Sequence, residues 1–252
     1  MTERWCIITG PRSGSTWLEL IVLGHLRSKK MNTQQLGEFL HPGVAKHEQF
    51  VLSSSNQILY GKKQWPSDQE TFEGRMLMLL ANDPTQSLTM RLFPQNYFFE
   101  FIDFIDVAKK LESCNFKFIS LHRNIFERAL SWAAMDHTGI VHLYKNKENN
   151  SQYHTTYHGI KEKSIVESIQ ICPKNFTRLM LMIVQDDISR RMINEAVSVV
   201  EIDYDNLEQD IQQLKINVLP TQISPVHELP YNKLITNYDQ LLDIYDKLKT
   251  TL

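Results

Sequence analysis

Apolar residues recur along this chain with two periods. Trp5–Thr9 is a short β-prone run that stops at Gly10-Pro11. From Ser15 to Leu26 the apolar positions fall at Leu18, Ile21, Val22 and Leu26, the spacing of one helix face. The chain thus opens as strand, loop and helix. Further β-prone runs lie at Ser87–Leu92, Asn115–Leu121 and Val197–Ile202, with helical candidates over 68–82, 96–112, 125–136 and 161–190. Strands alternating with helical stretches predict an α/β fold, a parallel β-sheet flanked by helices, in a single domain over 1–252. Leu207–Leu214 and Tyr238–Leu248 read as two closing amphipathic helices that pack the sheet. Between Asp136 and Lys163 the chain turns polar, KNKENNS at Lys145–Ser151 above all, so 136–163 reads as a mobile insertion or substrate loop.

Composition narrows the function. A chain of 252 residues, 42% hydrophobic, can bury a sizeable core. Its formal net charge of −2 excludes a broad basic surface, so no nucleic-acid partner is expected and an anionic ligand must be met by a local cluster. Cys6, Cys114 and Cys172 lack metal-ligand or CxxC spacing and read as buried reduced thiols. No metal is expected. The N-terminus shows no basic region followed by a long apolar run, so the expectation is a cytoplasmic chain with no membrane span.

Gly10-Pro11-Arg12-Ser13-Gly14-Ser15-Thr16-Trp17 stands where a strand hands over to a helix, the place where unpaired N–H groups and the helix dipole favour an anion. Glycines let the backbone close round oxygens, Ser15 and Thr16 add hydroxyls, and Arg12 adds charge. The nucleoside-triphosphate loop GxxxxGK, followed by Ser or Thr, is a poor fit. Gly10 to Gly14 leaves three residues between the glycines, and no lysine precedes Ser15. The segment resembles the 5′-phosphosulfate loop of sulfotransferases that use 3′-phosphoadenosine-5′-phosphosulfate (PAPS). That loop reads Pro, Lys or Arg, Ser or Ala, Gly, two of Thr or Ser, then Trp or Leu, and Pro11–Trp17 matches at each position. The resemblance implies a P-loop-like βα turn in which Arg12, Ser13, Gly14, Ser15 and Thr16 hold the 5′-phosphosulfate and Trp17 lies against adenine.

A second segment agrees with it. Phe116–Leu121 alternates as a strand, ends in His122-Arg123 and leads into a helix carrying Ser131. Ligands of open α/β sheets bind at the carboxyl ends of strands, and arginine donates two charge-assisted bonds to one phosphate. Sulfotransferases place an arginine at a strand end and a serine eight positions later on the 3′-phosphate, and Arg123 and Ser131 have that spacing. Val199–Leu207 resembles the family's late strand and turn, with Asp205 for the usual glutamate, and Asp205 or Asn206 is expected to cap the next turn. The late RKGxxGxWK segment of the cytosolic branch is absent.

Sulfuryl transfer needs a base on one side of sulfur and positive charge on the other. In Gln35–His41, Gly37-Glu38 resembles a short motif of carbohydrate and tyrosyl-protein sulfotransferases, which implies Glu38 as base, with His41 and His47 as alternatives because histidine titrates near neutrality. Arg12 is expected to act on the leaving group, and Arg91 to reach the site from a neighbouring strand edge as a substrate-binding residue. His137, His142, His154 and His158 read as solvated loop residues, with only His154 and His158 at i,i+4 spacing. The resulting expectation is an enzyme that transfers sulfuryl from PAPS to a hydroxyl or amine of a small-molecule, glycan, lipid or peptide acceptor, leaving adenosine 3′,5′-bisphosphate. A catalytically silent binder of that nucleotide and a P-loop-like kinase are the alternatives, the latter weakened by the missing lysine. Acceptor identity and oligomeric state are not encoded in these patterns.

Overall fold

The computed structural model describes residues 2–40, 68–80, 85–94, 103–138, 143–145, 153–155, 168–216 and 231–250. Strands β1 (Arg4–Ile8), β2 (Thr33–Gly37), β3 (Ser87–Leu92) and β4 (Phe116–His122) alternate with helices α1 (Ser15–Ser28), α2 (Asp68–Leu80) and α3 (Phe104–Ser113). There follow α4 (Ile125–Thr138), β5 (Leu143–Lys145), β6 (Tyr153–Thr155), α5 (Pro173–Ala196), β7 (Val199–Asp203), α6 (Leu207–Asp210), α7 (Tyr231–Leu234) and α8 (Tyr238–Lys249). The main sheet has five strands in the order β2-β3-β1-β4-β7, and every neighbouring pair is parallel. The α/β class expected from the alternation is what forms.

By its internal contacts the chain divides into two compact units, Met1–His122 with Gln185–Leu219, and Arg123–Val184 with Pro220–Leu252. The first holds the sheet, and the pleat sorts its side chains to two faces. Trp5 and Ile7 of β1, Ile119 and Leu121 of β4 and Ile202 of β7 pack with Leu18, Ile21, Val22 and Leu26 of α1 and with Leu207, Ile211 and Leu214. Cys6 and Ile8, Leu88, Met90 and Leu92, and Phe116 and Phe118 face the other way, onto Val107, Ala108 and Leu111 of α3, Met76 and Leu79 of α2, Ile193 of α5 and Val197 just after it. Helices on both faces explain why Trp5–Ile8 of β1 reads as an unbroken apolar run, and all five residues of the strand are buried. The connection after β1 leads through α1 to β2 on one side, while β4 is followed in the sheet by β7 on the other. Neighbours β1 and β4 therefore form the switch point, the position at which open sheets of this kind bind ligands.

The second unit has a helical core of its own. Phe126, Leu130 and Ala133 of α4 pack with Phe176, Leu179, Met180 and Ile183 of α5 and Leu241 of α8. Phe126 meets Phe176 and Tyr238 edge-on at ring separations of 5.7 and 5.5 Å, the geometry that aromatic quadrupoles favour. Asn237 clasps Ile171, its Nδ2 donating to the Ile171 carbonyl (2.9 Å) while its Oδ1 accepts the Ile171 N–H (3.1 Å).

Several expectations are corrected. Leu207–Leu214 does pack the sheet, as one α-turn followed by a 3-10 turn over Ile211–Leu214, but α8 packs on α4 and α5. An amphipathic pattern shows that one face is buried, not against what. The long helix begins at Pro173 rather than 161, because Ile169 is taken into a parallel bridge with Ile235 and proline suits a first helical position. Helix α3 starts at Phe104 and is capped by Asp103, whose side chain accepts the N–H groups of Ile105 and Asp106; positions 96–102 lie outside the described residues. Within 136–163, Leu143–Lys145 and Tyr153–Thr155 pair as an antiparallel ribbon, and His154 lies in a strand rather than on a helix. Cys6 is buried and burial, with the charge of Glu19, pushes its thiol up, but Cys114 is half-buried and Cys172 exposed. No helix among the described residues is long and apolar enough to cross a membrane.

Candidate functional site

The turn between β1 and α1 is built by local chemistry. Ser13, 1% exposed, donates its hydroxyl to the Gly10 carbonyl at 2.8 Å, and the Thr9 hydroxyl lies against the Ser13 oxygen and, at 3.2 Å, the Leu121 carbonyl. These bonds tie the turn to itself and to β4. The Ser13 side chain is therefore a pin of the loop. Arg12 (φ 64°) and Gly14 (φ 89°) both sit in the left-handed region, which curls the chain back before the helix begins. Glycine at 14 has a second cause, since a Cβ there would run into the ring of Tyr204. The turn after β7, which sequence reasoning assigned to the fold alone, thus closes on the loop. Its cap is Asp203, accepting from the Asp205 N–H at 3.0 Å; Asn206 makes no side-chain cap bond.

Helix α1 starts with no side-chain cap at Gly14, whose carbonyl receives the N–H groups of Trp17 (3.1 Å) and Leu18 (3.2 Å). The N–H groups ahead of these have no partner within a helix, and the helix dipole makes that end positive. Ser15 is buried, Thr16 is half-exposed, and Trp17 packs on the α1 side of the core.

One turn into α1 lies a group that sequence reasoning missed. Glu19 is 0% exposed, and both its oxygens are taken up. Oε1 accepts the Gly37 N–H at 3.1 Å and the Thr89 hydroxyl at 3.3 Å; Oε2 accepts Gln35 Nε2 at 3.1 Å and lies 3.1 Å from Arg91 Nε. A buried carboxylate is held by just such a set of donors, because an unpaired charge there would cost several kcal/mol. Arg91, within β3, reaches further: its NH1 donates to the Thr16 hydroxyl at 2.6 Å and lies 3.2 Å from Glu38 Oε1. Loop, buried carboxylate and Glu38 are thereby joined through one guanidinium. Glu38, just past the positive-φ Gly37 of β2, keeps a quarter of its side chain in solvent. Strand β2, TQQLG, was not legible either. It is a sheet edge, and its glutamines are used for hydrogen bonds, Gln34 to Gln86 and Gln35 to Glu19. His41 and His47 lie outside the described residues.

At the end of β4, His122 Nδ1 lies 3.6 Å from Asp187 Oδ2. Arg190 steadies that carboxylate, with Nε 3.5 Å from Asp187 Oδ1 and NH1 bonded to Ser120 at 2.8 Å. A histidine directly before Arg123 was the only available signal for this pair. In the second unit, Asn124 caps α4 by accepting the N–H of Phe126 at 2.9 Å, which places Arg123 just ahead of the helix. Arg123 is buried rather than on the surface, and its NH2 meets Glu127 Oε2 at 3.1 Å; Ser131, one turn beyond Glu127, is buried too.

Among known proteins, no family model, no curated protein and no solved structure matches this chain.

Proposed function

We propose that the chain is a PAPS-dependent sulfotransferase, with the Gly10–Thr16 loop seating the 5′-phosphosulfate. The observation that carries the reading is the Thr16 hydroxyl. It accepts from Arg91 and has no acceptor for its own proton among the described residues, beside a helix N-terminus without a side-chain cap. A hydroxyl so placed, with the N–H groups of the first turn, suits a tetrahedral oxyanion. Arg123 and Ser131 take the 3′-phosphate on the strength of the sequence resemblance alone.

In this reading the acceptor oxygen gives its proton to Glu38 and bonds to sulfur, while the sulfur–oxygen bond to the 5′-phosphate breaks in line. The phosphate leaves with the electron pair, and Arg12 and the loop N–H groups stabilise the charge it gains. The reaction needs no metal. A second reading of the base is favoured by the ion pair that ties Glu38 to Arg91: His122, beside Asp187, stands at the carboxyl edge of β4 with about a third of its side chain in solvent. The acceptor is a hydroxyl or amine of a small molecule, glycan, lipid or peptide in a cytoplasmic setting.

Calorimetry with adenosine 3′,5′-bisphosphate and adenosine 5′-monophosphate tests the nucleotide. Tighter binding of the bisphosphate is expected, and equal affinities would sink the assignment of Arg123 and Ser131. Glu38→Gln and His122→Gln then separate the bases. General-base removal costs about 10²–10⁴-fold in turnover, and the variant that keeps donor binding while losing transfer identifies the base.

A further inference from the structure

We infer that Glu19 is a positioning residue: it holds the Arg91 guanidinium on Thr16, so that the Thr16 hydroxyl proton is presented to an oxyanion in the loop. The inference rests on the anion-binding reading of that loop and assigns the residues that orient its hydroxyl donor.

A guanidinium has donors only, so in the 2.6 Å contact Thr16 Oγ1 is the acceptor. Its single proton must point elsewhere. Thr16 stands in the first turn of α1, where no preceding helical turn offers a carbonyl, and none of the described residues accepts its proton. Accepting from a cation also makes the hydroxyl a stronger donor, since hydrogen bonds in a chain polarise one another.

Arg91 would not keep this pose by itself, because a long side chain loses rotamer freedom when it is fixed. Glu19 supplies the constraint. It lies three residues after Thr16, on the same side of α1, and its Oε2 is 3.1 Å from Arg91 Nε. Glu19 is immobile in turn because Gly37, Thr89 and Gln35 donate to it from β2 and β3. The extended guanidinium matters, since its Nε edge lies against Glu19 as an ion pair while NH1 donates to Thr16, a span that the single ammonium of a lysine does not match. Glu38 meets the same NH1 from the solvent side, at 3.2 Å.

The test is a double-mutant cycle of Glu19→Gln and Thr16→Val, read by the affinity for adenosine 3′,5′-bisphosphate and, separately, for inorganic sulfate, with thermal melting of every variant. Each single change should weaken binding on the order of 10-fold, the size of one charge-assisted hydrogen bond. The double variant should be no weaker than the poorer single one, because both cut the same chain. Multiplying losses would overturn the proposal and reduce Glu19 to packing, a role that moves the melting temperature without coupling to Thr16. If Glu19→Gln fails to fold, Arg91→Lys with Thr16→Val gives the same cycle. A coupled cycle on sulfate with no bisphosphate binding removes the sulfotransferase reading alone, whereas bisphosphate binding with an uncoupled cycle removes this proposal alone. A native protein that binds neither ligand overturns both.

Discussion

Arg91 and Arg123 are both mostly buried and both paired with a glutamate, yet the pairs differ in what holds the carboxylate. Arg91, 14% exposed, faces Glu19 at 0% exposure, fixed by donors from β2 and β3. Arg123, 6% exposed, faces Glu127, one helical turn away on its own segment and 44% exposed. Glu127 is itself nearly half in water, so its carboxylate stays hydrated when it swings away from Arg123. Glu19, closed to water and held by Gly37, Thr89 and Gln35, has no solvent to swing into. The Glu127 carboxylate is thus the more easily displaced of the two, and Arg91 is a fixed part of the loop's surroundings.

The largest effect that bears on this contrast is expected for Glu19→Ala, which should cost about 3–5 kcal/mol in denaturant unfolding, as breaking a buried ion pair does. A loss below about 1 kcal/mol would mean that the cluster relaxes and the two pairs are alike.

Gly14→Ala comes next. Positive φ and the Tyr204 ring both oppose a Cβ, so a loss of more than about 1 kcal/mol is expected, together with weaker anion binding. Normal stability would show that the ring moves aside freely and that the loop is less tightly built than the Glu19 cluster.

Glu127→Ala should change stability by no more than about 1 kcal/mol and leave bisphosphate binding intact or tighter, since it removes a carboxylate that competes for the Arg123 guanidinium. Weaker binding would make Glu127 part of the site and erase the distinction.

A control separate from the Glu19–Arg91 cluster lies at the amino-terminal edge of the sheet. Burial opposes ionisation of Glu3, but the hydrogen bonds and charges of Lys29 and Lys117 outweigh it and hold the carboxyl at about 2, below its usual 4.5. Its folded pKa is depressed, so its contribution to stability is full above the unfolded value and is lost as pH falls from about 4.5 towards 2. His25 is shifted below 6.5, by burial first and then by Lys29, so it too withdraws stability as pH falls below 6.5. Unfolding titrations of His25→Gln and Glu3→Gln should each flatten the corresponding part of the acid limb. Unaltered limbs would place the linkage elsewhere.

What was legible in advance was local. The β1–loop–α1 unit could be read because apolar periodicity, two glycines and a run of hydroxyls are properties of consecutive residues, and the structure places Gly14 at the positive φ such a turn uses. The alternation of strands and helices led as directly to a parallel sheet. Strand β2 could not be read that way, because an edge strand of polar residues shows no apolar alternation, and the seat of α8 could not because its pattern names no partner.

The sequence by itself therefore determined the class of the fold, the loop and the candidate residues Arg12, Arg91, Arg123 and Glu38. Only the tertiary structure decided which of them meet. Parallel pairing of β2 with β3 carries Gln35, Gly37, Thr89 and Arg91 to one buried carboxylate on α1, and it sets Glu38 beside Arg91. In the same way, β7 returns Tyr204 to Gly14, 190 positions earlier in the chain. The physical reason is that charge pairing and close packing depend on separation in space, which strand order and register set, whereas propensity and periodicity act only between near neighbours.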